Sequence, residues 1–177
     1  RETVSADFLF VGASNPCPCG NLYEPSGRCC CSPMQIQNYL SKISSPILDR
    51  IDIHVPVRRV LSYQIESSGG ADNSFKIRER VIKTRAIQTE RFKNEAFKIN
   101  GGIPRNRIEK YCSLTPNSRK LLRSAIDNMG ISMRAYEKIV KVARTIADMD
   151  ARENIKEDDI AEAMQYRCFD RGEANAA

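Results

Sequence analysis

Long apolar runs are missing from this 177-residue chain, and none approaches the roughly 20 residues that a helix needs to cross a bilayer. The N-terminus also lacks the charged-then-apolar pattern of a secretory signal. Together these absences exclude a membrane-spanning helix and point to the cytoplasm, where thiols stay reduced. The seven cysteines are therefore not read as a disulfide framework. Histidine occurs once, as His54, and its alternation with apolar neighbours marks a packed residue rather than a ligand. No G-x-x-x-x-G-K-[ST] loop is present to cradle phosphates, and no apolar strand ends in paired acids to hold magnesium. Hydrolysis of a nucleoside triphosphate by this chain alone is thereby excluded. Neither an internal repeat nor a low-complexity tract is found.

With 41% hydrophobic and 28% charged residues, the chain can bury one ordinary core, or a small domain plus a fragment. It begins with Arg1 and opens almost directly on an apolar run, Phe8-Leu9-Phe10-Val11-Gly12, as a piece of a longer protein would. The net charge of +6 is unevenly spread. From Lys76 to Lys110 there are eleven Lys or Arg against four Glu, a local +7. Such a segment can track phosphates. The plainer alternative is a solvated helix with i,i+4 pairs such as Arg91 and Glu95.

Five of the cysteines crowd between Cys17 and Cys31, and four of them fall in C-x-C-x9-C-x-C spacing: Cys17, Cys19, Cys29 and Cys31. Paired thiols at the two ends of a short loop can close round one tetrahedral, thiophilic ion such as zinc. A C-x-C pair is tighter than the C-x2-C of common zinc sites, so free thiols and adventitious disulfides remain as alternatives. Cys112 and Cys168 stand apart and read as ordinary small residues.

The run Phe8 to Ser14 predicts a strand buried on both faces, ended by Asn15-Pro16. A loop without periodicity follows to Ser32. Pro33 suits a first helical turn, and Ser45-Pro46 opens another short one. Ile51, Ile53, Val55 and Val57 alternate as a second strand, and Arg58 to Asn73, with Ser67-Ser68-Gly69-Gly70, reads as a linker. Beyond it the pattern is helical. Ser74 caps a helix that Asn100-Gly101-Gly102 stops, and a shorter helix spans Ile108 to Cys112. Thr115-Pro116 launches a third as far as Gly130, Ser132 caps a fourth, and Glu157-Asp158-Asp159 opens a fifth behind Lys156, a poor cap.

Behind Asn15-Pro16, the cysteine loop and the run Ile47-Leu48-Asp49-Arg50-Ile51-Asp52 together resemble the magnesium-chelatase-like AAA+ ATPases of the ComM/YifB type. The likeness covers nearly the whole chain, through Arg144-Thr145-Ile146-Ala147-Asp148 to Ala163-Met164-Gln165-Tyr166-Arg167, and is most specific from Asn15 to His54. It implies three roles. Asn15 matches sensor 1, a neutral amide that positions the attacking water. Arg50 in Leu48-Asp49-Arg50 matches the arginine finger, a cationic fork offered to a neighbouring subunit's nucleotide as charge develops. Arg134 in Ser132-Met133-Arg134-Ala135-Tyr136 matches sensor 2 of a helical lid. Taken without the resemblance, Asn15 is a turn former, Arg50 a local ion pair with Asp49 or Asp52, and Arg134 a surface residue. The ComM/YifB group carries the same Cys-Pro-Cys-Gly and later C-x-C, which makes Cys30 a bystander.

The expected fold is an α/β fragment of an AAA+ core, with two strands and short helices, followed by an all-α lid bundle. Residues 1–60 would be the C-terminal part of the core with the cysteine loop, 61–75 a linker, and 76–177 a helical connector and the lid. The resemblance implies the C-terminal half of a ring-forming, hexameric motor that uses ATP and magnesium, carries zinc, and moves DNA as a branch-migration helicase. A chelatase-type or chaperone-type ATPase that remodels a protein or metal-insertion complex is the alternative. A zinc-stabilised binding module without motor function is a third.

Overall fold

The computed structural model describes residues 8–24, 27–57, 60 and 72–167. The chain divides into two compact units, Arg1–Ser44 and Ser45–Ala177. Cys168 and most of the expected linker lie outside the described residues.

The first unit consists of the cysteine loop and helix α1 (Pro33–Leu40). Ser32 starts the helix through a reciprocal box. Its hydroxyl accepts from the Gln35 amide at 3.3 Å, while the Gln35 side chain accepts from the Ser32 amide at 2.8 Å. Pro33 occupies the first turn, where a missing N–H costs nothing.

Among the described residues no strand forms, and both expected strands depart from the sequence pattern. Phe8, Leu9, Phe10 and Val11 are 64–90% exposed, and Ile53, Val55 and Val57 are exposed as well. Alternation and apolar content mark a segment that would suit a sheet, but a strand exists only by exchanging hydrogen bonds with a neighbour. Neither segment has one here, so the two-strand part of the expected α/β architecture is not seen.

The second unit is helical: α2 (Ser45–Arg50), α3 (Ser74–Arg91), α4 (Ile108–Tyr111), α5 (Pro116–Met129), α6 (Met133–Met149) and α7 (Glu157–Gln165), with single 3-10 turns at Asn100–Gly102 and Arg105–Arg107. The cap of α3 is Asn73, one residue before the expected Ser74, and its side chain accepts from the Lys76 amide at 2.9 Å. The helix also ends earlier than Asn100-Gly101-Gly102 predicts. Phe92 turns inward and is fully buried, and the Lys98 ammonium satisfies the freed carbonyls of Phe92, Lys93 and Glu95 at 3.2, 3.4 and 2.9 Å. Gly130 closes α5 in the left-handed conformation at φ 62°, which a side chain would strain. The weak cap Lys156 is rescued by Asp159 three residues on, whose carboxylate accepts from the Lys156 amide at 2.8 Å.

Helix α6 lies at the centre. Ile139, Val140, Ala143 and Ala147 on one of its faces pack with Phe92, Ile103, Ile108, Leu122, Ile155, Ile160 and Ala163 from the surrounding elements. The same helix carries buried charge. Arg144, 1% exposed, donates to the carbonyls of Arg152 and Glu153 and meets Asp148 one turn on at 3.0 Å. Asp148 also receives Arg91 and the Asn100 amide, the latter at 2.8 Å. Arg91 is thus drawn inward to Asp148, rather than pairing with Glu95 on a solvated helix face. Burial pulls the Arg144 guanidinium below its ordinary value, and the Asp148 carboxylate opposes that pull.

Candidate functional site

In the first unit, Cys17-Pro18-Cys19-Gly20 folds back on itself. The Gly20 amide reaches the Cys17 carbonyl at 3.0 Å with φ 80°, a conformation open to glycine and strained for a side chain. This turn aims both thiols the same way. The second pair, Cys29 and Cys31, meets them so that all four Sγ atoms lie within 4.8 Å of one another. Individual separations are 3.4 Å for Cys17 to Cys19, 3.8 Å for Cys17 to Cys29 and 3.6 Å for Cys19 to Cys29.

Those distances are compatible with a metal site. A disulfide would need about 2.05 Å between sulfurs, and every described cysteine is free. A tetrahedral thiolate site with metal–sulfur bonds of about 2.3 Å places its sulfurs roughly 3.8 Å apart. The donor set therefore fits a metal ion that prefers four thiolates. Cys30 is exposed and is not part of the cluster.

The electrostatics of the cluster agree with that fit. Backbone amides of Asn21 and Cys30, with the Cys17 thiol, pull Cys19 down to about 6. Cys31 is helped by the Cys19 backbone, yet burial and the facing thiols of Cys19 and Cys17 push it up to about 12. Cys29 is raised in the same way, against the Cys31 amide. Four negative sulfurs this close cannot coexist without a cation, so metal uptake must release protons and affinity must fall as pH falls.

Asn15 is exposed in this unit, with its side chain 3.9 Å from where a Cβ on Gly20 would sit. It thus abuts the turn that sets the first cysteine pair.

Arg50 and Arg134 belong to the second unit, where Asp49, next to Arg50 in sequence, faces Arg134. Arg50 ends α2, is exposed, and donates to its own helix at the Pro46 carbonyl at 2.9 Å. Neither neighbouring acid binds it. Asp49 instead accepts from the Ser132 hydroxyl at 3.3 Å and faces Arg134 at 3.7 Å and Arg167 at 3.9 Å, while Asp52 pairs with Lys138. Lys138 also donates to the Arg50 carbonyl at 2.7 Å, and Arg167 donates to the Ile51 carbonyl. Among the described residues, no acid lies within ion-pair distance of Arg50. His54 is buried, with its amide on the Tyr166 carbonyl at 2.7 Å and Nε2 3.2 Å from the Leu48 carbonyl. Its burial matches the packed position that its sequence context implies.

Sequence reasoning missed the clamps Asp49, Asp52, Ser132, Lys138 and Arg167. The two acids flanking Arg50 were the available signal, but their partners lie more than 80 residues away, beyond any local period.

The basic segment sorts itself in the structure. Arg105 meets Glu137 at 3.2 Å, Arg107 and Lys110 meet Glu95 at 3.4 and 3.3 Å, Lys93 meets Glu90 at 2.6 Å, and Arg80 meets Asp72 at 3.0 Å. Lys76, Arg78, Lys83 and Arg85, all exposed on α3, have no acid within ion-pair distance among the described residues.

A cluster of four thiols that could hold a metal ion and a helical bundle thus occur in one chain. Residues 1–65 match the family described as magnesium chelatase, subunit ChlI, and residues 71–167 match magnesium chelatase, subunit ChlI C-terminal. The chain belongs to this ChlI-like AAA+ family and, within it, is of the ComM/YifB type. It is 38% identical to competence protein ComM of Haemophilus influenzae over 94% of its length, covering 32% of that relative. Identity is 35% to YifB of Salmonella typhimurium and 33% to YifB of Escherichia coli, each over 97% of the chain and 33% of the relative. The chain thus spans about a third of the relatives it matches.

The metal assignment has a direct check. Purified chain is expected to hold about one metal ion per molecule, lost in Cys17→Ser or Cys31→Ser together with loop order, and kept in Cys30→Ser. Elemental analysis finding a stoichiometry near zero in protein prepared without chelator would remove the site.

Proposed function

We propose that this chain is part of a cytoplasmic AAA+ motor that acts on DNA as a hexameric ring, with zinc as the ion of its four-thiol loop. The observation that supports the reading is Arg50, exposed while Asp49 and Asp52 are occupied elsewhere, with Arg134 also exposed and 3.7 Å from Asp49. A guanidinium without a carboxylate partner is available to phosphate oxygens of a neighbouring subunit. In the same reading, residues 1–60 complete the ATPase core, 61–75 join it to the lid, and 76–177 form the connector and lid.

ATP and magnesium would be held by a phosphate loop and acidic pair that this chain lacks. Bound there, they supply the phosphoryl group and neutralise its developing charge. The chain's own residues orient and stabilise. Asn15 would hold the attacking water, and Arg50 and Arg134 would meet the charge that grows on the phosphate. Zinc is favoured for the loop because it accepts four thiolates in tetrahedral geometry. Support for DNA as the substrate is the similarity to a protein named for competence.

The distinguishing experiment is ATP turnover by the full-length motor with and without DNA. Stimulation supports the reading; turnover that ignores DNA favours the chelatase-type or chaperone-type alternative. A phosphate-tracking role falls on α3, because Arg105 and Arg107 already face acids. Reversing Lys76, Arg78, Lys83 and Arg85 to Glu is expected to weaken DNA binding for all sequences alike and to flatten its salt dependence by about 0.9 in slope for each lost phosphate contact. Reversing Arg105 and Arg107 should do much less. Salt titrations that do not distinguish the two sets would remove the role from α3.

A further inference from the structure

We propose that Asp49 is a positioning residue that presents Arg134 beside Arg50, so that the finger and the lid arginine operate as one unit. This rests on the reading of both arginines as nucleotide-facing, and it adds the group that couples them. One side of the Asp49 carboxylate is anchored: Oδ1 accepts from the Ser132 hydroxyl at 3.3 Å and faces Arg167, which is 3% exposed and also donates to the Ile51 carbonyl. The other side reaches outward, with Oδ2 3.7 Å from Nη1 of Arg134, whose side chain is 67% exposed. Ser132 is also the cap of α6, its hydroxyl accepting from the Ala135 amide at 3.1 Å. Asp49 therefore touches both the start of the helix that carries Arg134 and the guanidinium itself. It is bonded in sequence to Arg50.

The strength of these contacts suits positioning more than stability. At 3.7 Å the pair with Arg134 is an ionic contact beyond direct hydrogen-bond length, and at such exposure its contribution to stability is small. It orients the guanidinium without locking it. A phosphate dianion can therefore draw Arg134 away from Asp49, while Asp52 with Lys138 and Arg167 with Ile51 keep the segment around Arg50 in place. Movement of the end of α2 would then be felt at the Arg134 tether, and the reverse.

Steady-state ATP turnover of the full-length motor tests this with Arg50→Ala, Arg134→Ala, Asp49→Asn, Asp49→Glu and the double variant Asp49→Asn/Arg134→Ala, each with its melting temperature. Asp49→Asn is expected to lower kcat about tenfold, within the range that contacting residues share, with KM and melting temperature little changed. The double variant should be no slower than Arg134→Ala alone, since Asp49 acts through Arg134. Asp49→Glu should recover part of the rate. An unaltered kcat in Asp49→Asn, or a double variant whose loss is the product of the two single losses, overturns the inference while leaving both arginines in their roles. Normal turnover in both Arg50→Ala and Arg134→Ala overturns the nucleotide-facing reading, and this inference with it.

Discussion

Arg50→Ala in the full-length motor is expected to cut ATP turnover by about a thousandfold or more while leaving nucleotide affinity largely intact. The magnitude is that of a finger removed from phosphoryl transfer. The split between rate and affinity follows from when the interaction forms. A guanidinium offered from a neighbouring subunit meets charge that grows on the way to the transition state, so its loss lowers kcat and leaves ground-state binding almost untouched. On the proposed function, in which each site would borrow its finger from a neighbour, rings mixed from wild-type and variant subunits should be inhibited as well. The structure sharpens the test: Asp49 and Asp52 are engaged by Ser132, Arg134, Arg167 and Lys138, so a local ion pair does not compete for the Arg50 side chain. Single-turnover and nucleotide-binding measurements on the variant decide the matter. Unchanged hydrolysis would leave Arg50 as a surface residue.

Asp148→Ala is expected to destabilise the helical unit by about 3–5 kcal/mol, the cost of breaking a buried ion pair from one side. Arg144, 1% exposed, and Arg91 would both lose their carboxylate, and Asn100 would lose an acceptor at 2.8 Å. Asp150→Ala, two residues on, provides the contrast. Its partner Arg152 is bound independently by Asp159, and Asp150 itself is 62% exposed, so a change below about 1 kcal/mol is expected. For a chain of this size the first corresponds to a melting shift of roughly 10 °C and the second to little. Thermal unfolding of the two variants side by side checks the assignment, and equal shifts would contradict it.

Local rules account for most of the helices. Ser32 with Pro33, Thr115 with Pro116, Ser132 and Gly130 begin and end helices where their chemistry requires, because a cap or a left-handed turn is settled within four residues. The thiol cluster was legible for a related reason. C-x-C on either side of a short loop leaves few ways to arrange four sulfurs, and the turn at Gly20 brings them together. Asn15, Arg50 and Arg134 were legible only as matches to a family pattern.

Where local evidence ran out, the departures from the expected pattern have physical causes. Alternation at Ile51 to Val57 and the apolar run at Phe8 describe side chains suited to a sheet, but strand formation is a property of pairs of segments, and among the described residues no ladder partner lies beside either one. The early end of α3 depends on Phe92 entering the core and on Lys98 folding back over its carbonyls. Charge was the least readable quantity. Eleven cations against four acids suggested either a phosphate-tracking segment or a solvated helix, yet Arg91 meets Asp148 inside, Arg105, Arg107 and Lys110 are matched by Glu137 and Glu95, and the exposed surplus lies on α3. The sequence by itself determined most of the helical caps, the grouping of four thiols and the family. Only the tertiary structure decided which acid each cation meets, and hence that Asp49 joins Arg134 while Arg50 stays open, because ion pairs form between groups that folding brings within a few ångströms whatever their separation along the chain.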